Sequence, residues 1–236
     1  MNNSVRITVA TVCYNSSSTI RSTVESVLKQ TYPNVEYVVV DGASTDGTIE
    51  ILRQYQGNLI LVSEKDNGVY DAMNKALSIA TGDYIIFMGA DDLFYDDMVL
   101  SRVAGKLKNP NAVYYGNVKR VRRLDIYAGK FSKWDWGYKN PCHQSIFYPI
   151  GIYKSNCYNL RYRLVADWVY NLNLLQHNTM FIYLDEIISL YNDIDGLSST
   201  NNDEQFLADK RHLITDAVGI LPYVYGILHK ILKKII

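Results

Sequence analysis

The sequence predicts an α/β domain: a mostly parallel central sheet with flanking helices, followed by a C-terminal amphipathic helical tail. Three observations predict it. Short β-branched runs alternate with helix-period runs through the first hundred residues. Polar, mostly acidic residues follow each of the first four β-branched runs. From Gly219 onward, apolar side chains recur at helical spacing with lysines opposite them.

The elements read as follows. Ile7–Cys13 is a short apolar strand. Ser16, Ser17 and Ser18 offer caps for a helix through Lys29, with Ile20, Val24, Val27 and Leu28 as its core face. Pro33 breaks the chain before a second strand, Val35–Val40. Thr45-Asp46-Gly47 opens a helix from Thr48 to about Tyr55, and Leu59–Val62 is the third strand. Val69–Ala80 is a helix with Met73, Ala76, Leu77 and Ala80 on one stripe. Tyr84–Met88 is the fourth strand, and Asp96–Lys108 a further helix. Beyond Pro110 the rhythm changes to strands at Val113–Val118, Ser145–Tyr148 and Met180–Leu184, with one helix at Ala166–Gln176. With no repeat and no flexible linker, residues 1–205 read as one domain and 206–236 as the tail.

Composition narrows the function. The formal net charge is zero, which disfavours a dedicated nucleic-acid binder. Cys13, Cys142 and Cys157 fit neither a zinc spacing nor a disulfide framework, so three reduced thiols are expected. No leader opens the sequence and no apolar run is long enough to span a bilayer, so a cytoplasmic protein is expected.

Ligands of open α/β sheets bind outside the carboxyl ends of the strands. Tyr14-Asn15, Asp41-Gly42, Glu64-Lys65-Asp66 and Gly89-Ala90-Asp91-Asp92 follow the four strands and converge on that edge. A single loop aspartate is most simply a cap, but four such loops at one edge suggest a site. Neither a G-x-G-x-x-G turn nor a P-loop is present. An acidic edge repels a diphosphate unless a cation intervenes, and Asp91-Asp92 offers hard oxygens for Mn2+ or Mg2+. Asp41, after the second strand, is suited to a base or ribose contact.

Thr11–Asn15, Val39–Thr48, Ser63–Lys75, Ala80–Tyr84, Asp91-Asp92, His143-Gln144 and Ala166-Asp167-Trp168 together resemble the family 2 glycosyltransferases of the GT-A fold. Within that family they look most like the bacterial colanic-acid and O-antigen enzymes. The resemblance covers about residues 5–195 and implies an inverting, metal-dependent transfer from a nucleoside-diphosphate sugar, by default a UDP-sugar. It implies that Asp41 contacts the base, and that Thr11 and Asn15 line the nucleotide pocket. It sets Asp66 and Asp71 on the ribose and diphosphate side. Asp91-Asp92 stands at the family's Asp-x-Asp position but departs from it, since Gly89 or Ala90 occupies the first place. Asp92 is then the direct metal ligand, and Asp91 holds sugar hydroxyls or a metal-bound water. Asp167 aligns with the general base, the alternative being a helix cap. His143, Gln144 and Trp168 fall on the acceptor or diphosphate side. Trp134 and Trp136 are either sugar-stacking rings or ordinary packing.

The implied acceptor is a saccharide carried on a polyprenyl diphosphate, in surface polysaccharide assembly. The tail, with Ile227, Leu228, Ile231, Leu232, Ile235 and Ile236 against Lys230, Lys233 and Lys234, suits an anchor on the cytosolic face of the inner membrane. Asp193–Glu204 reads as a surface loop or as a lid. Two rivals stand beside the transferase. A nucleotide-sugar pyrophosphorylase lacks its glycine-rich signature here, and a non-catalytic nucleotide-sugar-binding scaffold draws support from the altered metal motif alone.

Overall fold

A computed structural model describes residues 4–154, 156–193 and 202–235. β1 (Ile7–Cys13) is buried along its whole length, because it lies between β2 (Val35–Asp41) and β4 (Tyr84–Gly89) with helices over both faces. β3 (Ile60–Ser63) adds outside β2, and all these pairings are parallel. The crossovers are α1 (Ile20–Leu28), α2 (Thr48–Arg53) and α3 (Val69–Ile79). Then follow β5 (Leu93–Phe94), α4 (Val99–Ala104), β6 (Ala112–Arg120), β7 (Ile126–Tyr127), β8 (Ile146–Pro149), α5 (Ile150–Lys154), α6 (Ala166–Gln176) and β9 (Met180–Tyr191). Among the described residues the strand order is β3-β2-β1-β4-β8-β6-β9-β5, with β7 on β6. The long ladders are parallel, whereas the antiparallel ones, such as β4–β8 and β6–β8, are two residue pairs each.

Alternate residues of the central strands feed two cores, one on each face. Met73 of α3, Phe87, Tyr148, Tyr153 and Tyr170 build one. Ile20 and Val24 of α1, Val39, Met88 and Leu100 build the other. Each fully buried large side chain contributes about 1.5–3 kcal/mol of transfer free energy, so the sheet is the stability of the domain as well as its frame.

Several expectations need correction. The helix expected over Asp96–Lys108 is only Val99–Ala104, since the Asp96 carboxylate takes the Met98 N–H at 2.8 Å and starts the helix later. Leu28 is 38% exposed, not core. The strand expected to end at Leu184 runs on to Tyr191. The polar pair Asp185-Glu186 interrupts its apolar period, but Glu186 is held by Arg102 at 3.1 Å and Lys106 at 2.7 Å, so the strand continues through them. β5, β7 and α5 are too short to carry a periodic signal.

The boundary expected at 205/206 falls in the first turn of α7 (Glu204–Val218). Asp203 caps α7 by accepting the Phe206 N–H at 3.1 Å, and it also accepts the Leu164 N–H at 2.9 Å. Phe206 enters the main core, while Ile214 and Val218 pack with Leu172 and Trp136. α7 is therefore part of the domain, and Trp136 is core, not sugar platform. Asp193–Glu204, read as a loop or lid, falls for residues 194–201 outside the described residues.

α8 (Ile220–Ile235) docks in an unexpected sense. It crosses the 135–137 turn through Pro222, Gly226 and His229, residues one turn apart on one side. A Cβ on Gly226 would lie 2.5 Å from the Gly137 carbonyl, and one on Gly137 would run into the Pro222 carbonyl. The His229 ring lies 4.3 Å from that of Tyr138. Leu221, Val224, Leu228, Ile231 and Leu232 lie on the opposite side and are 43–65% exposed. Trp134, itself exposed, meets Tyr225 edge-on at 5.6 Å where the two sides join.

Candidate active site

The β-ladder register aligns Val12 with Gly89, Cys13 with Asp41 and Asp41 with Ser63, so the four loops leave the sheet at one edge. Three of them interlock. Asn15, at φ 49°, donates its backbone N–H to Ser44 Oγ at 2.7 Å and accepts the Thr45 N–H on Oδ1 at 2.9 Å. Asn tolerates this left-handed conformation better than most residues. Asp46 takes the Thr48 hydroxyl at 2.6 Å and the Ser17 N–H at 2.9 Å, bonds that hold its carboxyl well below the ordinary range. Gly42 leaves room for Asp66, since a Cβ there would sit 2.5 Å from Asp66 Oδ2 and the carboxylate would have to move. Asp66 in turn accepts the Gly68 N–H at 2.8 Å. Asp71, in the first turn of α3, accepts the Asn67 N–H at 2.9 Å, and Lys75 bridges this loop to Glu64 at 2.9 Å.

Asp41 is fully buried. Its carboxylate accepts the Ser44 hydroxyl, the Ser44 N–H at 3.0 Å and the Ser63 hydroxyl at 2.8 Å. The Cys13 thiol adds a long contact at 3.6 Å. Burial and the Asp41 charge push that thiol up, so it stays protonated and donates. These bonds make Asp41 the organiser of the 42–48 loop, at the residue expected to contact the base. Thr11 does not reach the edge. It lies inside β1, fully buried, with its hydroxyl 3.1 Å from that of Tyr37, because side chains alternate along the strand and its turn faces the α1 side.

The fourth loop holds the carboxylate pair. Asp92 is 3% exposed. Its Oδ2 accepts the Gly89 N–H at 3.2 Å and the Gln144 amide at 3.1 Å, and its Oδ1 accepts the Asn192 N–H at 3.0 Å. Burial, then the Asp91 charge, pushes its carboxyl up to about 7 against those donors. Asp91 is exposed and takes the Asn192 amide on Oδ2 at 2.9 Å. Asp91 is thus the accessible carboxylate of the pair, and Asp92, expected as the direct metal ligand, is buried beneath it. Among the described residues no three metal-ligating side chains gather. The exposed Asp91 carboxylate suits a hard divalent cation that takes its remaining ligands from phosphate and water.

Asp167 sits in the first turn of α6. The helix is capped by Val165 without a side-chain bond, so Asp167 is not the cap. Its Oδ1 accepts the Tyr70 hydroxyl at 2.8 Å and its Oδ2 the Asn140 amide at 3.0 Å. His143 Nδ1 lies 3.9 Å from Oδ2. Burial holds the His143 imidazole below its usual range, outweighing the attraction of Asp167 and Asp91. His143 and Gln144 are neighbours in the chain. One faces Asp167 and the other holds Asp92, so a single dipeptide joins the two acidic centres. Gln144 itself is 1% exposed and serves Asp92 instead of an acceptor.

Trp168 is turned away from this centre. One residue along a helix is a rotation of 100°, and the indole packs on Phe206 at 4.9 Å under Lys210 at 5.2 Å. The sequence reading missed Tyr70, Asn140 and Asn192. Tyr70 lies in a quoted motif, but the other two are single polar residues in stretches without periodicity, and nothing local marks them.

The profile of glycosyl transferase family 2 matches residues 8–177. The chain belongs to that family. A PGL/p-HBAD biosynthesis glycosyltransferase of Mycobacterium tuberculosis is 36% identical over 215 residues, 87% of this chain and 83% of that one. The Escherichia coli UDP-Glc:alpha-D-GlcNAc-diphosphoundecaprenol beta-1,3-glucosyltransferase WfgD is 35% identical over 120 residues, 50% of this chain and 47% of that one. Staphylococcus aureus TarS 1–349 in complex with UDP-GlcNAc superposes with a TM-score of 0.74 at 21% identity, over 89% of this chain and 66% of that one. The mannosyltransferase PcManGT of Pyrobaculum calidifontis, in complex with GDP-Man and Mn2+, gives a TM-score of 0.67 at 20% identity, over 91% and 64%. The fold is GT-A, and the chain is a glycosyltransferase.

Proposed function

We propose that this glycosyltransferase moves a sugar from a UDP-sugar onto a polyprenyl-diphosphate-linked saccharide with inversion, in surface polysaccharide assembly at the cytosolic membrane face. The observation that carries the reading is the His143-Gln144 dipeptide, which sets Asp167 beside the Asp91-Asp92 loop. WfgD, by its name, uses UDP-Glc and a diphosphoundecaprenol acceptor, and TarS is described with UDP-GlcNAc. Those names support the donor and acceptor classes.

The interlocked 14–15, 42–48 and 64–68 loops bind the nucleotide, with Asn15, Asp66 and Asp71 lining it and Asp41 keeping the 42–48 loop in shape. Asp91 holds Mn2+ or Mg2+ and Asp92 orients the loop beneath it. Such a cation supplies charge neutralisation for the departing diphosphate. Asp167 takes the proton from the acceptor hydroxyl, and neutral His143 borders the same space. The outward apolar row of α8 rests on the membrane surface.

The test is turnover of UDP-glucose and UDP-N-acetylglucosamine with a synthetic polyprenyl-diphosphate saccharide. Asp167→Asn is expected to lower kcat about 10^2–10^4-fold, the usual range for a lost general base, with the melting temperature unchanged. Wild-type turnover by that variant would sink the base assignment.

A further inference from the structure

Behind Asp167 runs a chain of polar side chains that the transfer reaction does not by itself require. Tyr148 donates its hydroxyl to Asn171 Oδ1 at 2.8 Å. Asn171 donates its amide to Asn140 Oδ1 at 2.9 Å. Asn140 donates its amide to Asp167 Oδ2 at 3.0 Å. Tyr148 and Asn171 are both fully buried, in the core between β8 and α6. The Tyr127 hydroxyl also holds the Asn140 backbone carbonyl at 2.9 Å. On the other oxygen, the Tyr70 hydroxyl lies 2.8 Å from Oδ1 and 3.2 Å from the Leu164 carbonyl.

We propose that Asn140 and Tyr70 are the positioning residues of Asp167, and that Asn171, backed by Tyr148, holds the Asn140 amide with its donor end toward the carboxylate. The proposal rests on the reading of Asp167 as general base. An ionised carboxylate only accepts, so Asn140 must turn its NH2 toward Asp167 and its oxygen toward Asn171. Asn171 must then turn its NH2 toward Asn140 and its oxygen toward Tyr148, whose hydroxyl donates. One direction of donation satisfies every member, and it is the direction that presents a donor to the carboxylate. An amide cannot reverse here without breaking the bonds behind it. The Tyr70 hydroxyl is free of that constraint, because it has a second acceptor in the Leu164 carbonyl.

The two oxygens of Asp167 are therefore unequal. Oδ2 is committed as an acceptor by an amide that cannot turn. Oδ1 is held by a hydroxyl that can swing to Leu164. During transfer the acceptor O–H bond breaks and its electron pair forms the new bond to the sugar. The bond from sugar to diphosphate breaks, its electron pair leaving with the diphosphate. The released proton goes to Oδ1 as Tyr70 turns away.

The test is the pH profile of kcat, measured as UDP release from UDP-glucose and UDP-N-acetylglucosamine with the synthetic lipid-linked acceptor. Asn140→Asp sets a second carboxylate against Oδ2, and two such groups share a proton, so the pair titrates higher. The acid limb of kcat moves up by about one pH unit or more, activity recovers toward high pH, and donor KM stays within about twofold. Asn171→Asp, which does not touch Asp167, offers Asn140 only acceptors. It competes with Asp167 for the Asn140 NH2 and moves the limb in the same direction. Tyr70→Phe removes one donor to the carboxylate, so it moves the acid limb up as well, lowers kcat about tenfold, and covers the case in which a buried aspartate impairs folding.

An acid limb unmoved in Tyr70→Phe and in whichever aspartate variant melts like the wild type overturns the proposal. So does a loss that is equal at all pH values. Asp167→Asn separates the two readings. If it is inactive while the limb stays put in the others, the positioning chain fails and the base stands. If it is active, the base reading fails first.

Discussion

Glu36 shows how a single residue ties the amino ends of the central strands together. Its side chain is 4% exposed and accepts from Thr8 at 2.7 Å, from the Thr81 N–H at 2.7 Å and from Arg6 at 3.2 Å. Burial alone would raise its carboxyl, but bonds from Thr81 and Thr8 and the Arg6 charge outweigh it and leave the group below its usual value. A depressed carboxyl stabilises the fold above the unfolded value, about 4.3, and that contribution is lost as pH falls through the folded one. Glu36→Gln is expected to cost about 1–3 kcal/mol at neutral pH. Urea melts at pH 7 and pH 3 check this, because the gap between wild type and variant should shrink at the lower pH. At the same scale, Asp167 and Trp168 are adjacent in sequence yet have different surroundings, one bonded to Tyr70 and the other packed on Phe206. Motif proximity treats the two alike, because helical rotation is a property of the element and not of the motif.

At the scale of elements, α8 is decided by two glycines. Gly226 and Gly137 let helix and turn meet backbone to backbone. Gly226→Ala puts a methyl against the Gly137 carbonyl, an overpacking expected to cost about 1–3 kcal/mol. It should lower the melting temperature by about 2–4 °C for each of those kcal/mol. Limited proteolysis is expected to cut first near Gly219, where α7 hands over to α8, while the glycosyltransferase domain persists. Unchanged protection of α8 would show that the contact is not what seats it. The apolar period of α8 was legible in sequence. Which side of it met the protein was not, since an amphipathic pattern ordinarily buries its apolar face. Here the small and polar side docks, and the apolar side is left outward.

That inversion matters for the whole molecule. A domain whose terminal helix shows Leu221, Val224, Leu228, Ile231 and Leu232 to solvent carries an apolar patch fit for a surface. In vesicle flotation, the wild type should float with phosphatidylglycerol-containing vesicles. The triple variant Leu228→Glu, Ile231→Glu, Leu232→Glu should stay in the pellet fraction while still turning over a soluble acceptor. Equal flotation of both would remove the membrane from the picture. No helix among the described residues is long and apolar enough to cross a bilayer. Removal of divalent cation by EDTA is expected to abolish UDP binding at the Asp91-Asp92 loop, with recovery on Mn2+ addition, read by calorimetry. Retention of UDP with chelator would detach the carboxylate pair from the diphosphate.

Local patterns determined the parallel half of the sheet, the loops at its carboxyl edge and the motif that carries Asp41, Asp91, Asp92 and Asp167. Strand and helix periods are set by neighbours within a few residues, and the loops inherit their position from the strands. Tertiary structure alone decided which aspartate is exposed at the Asp91-Asp92 pair and that Thr11 faces Tyr37. It alone brought Asn140, Tyr70 and Asn171 behind Asp167. These depend on burial and on partners far along the chain: Tyr70 and Asp167 are separated by 97 residues, and Asp92 and Asn192 by 100. No local period encodes a contact at that distance, because it is the closing of the sheet and the core shared by α3 and α6 that bring the groups within hydrogen-bond reach.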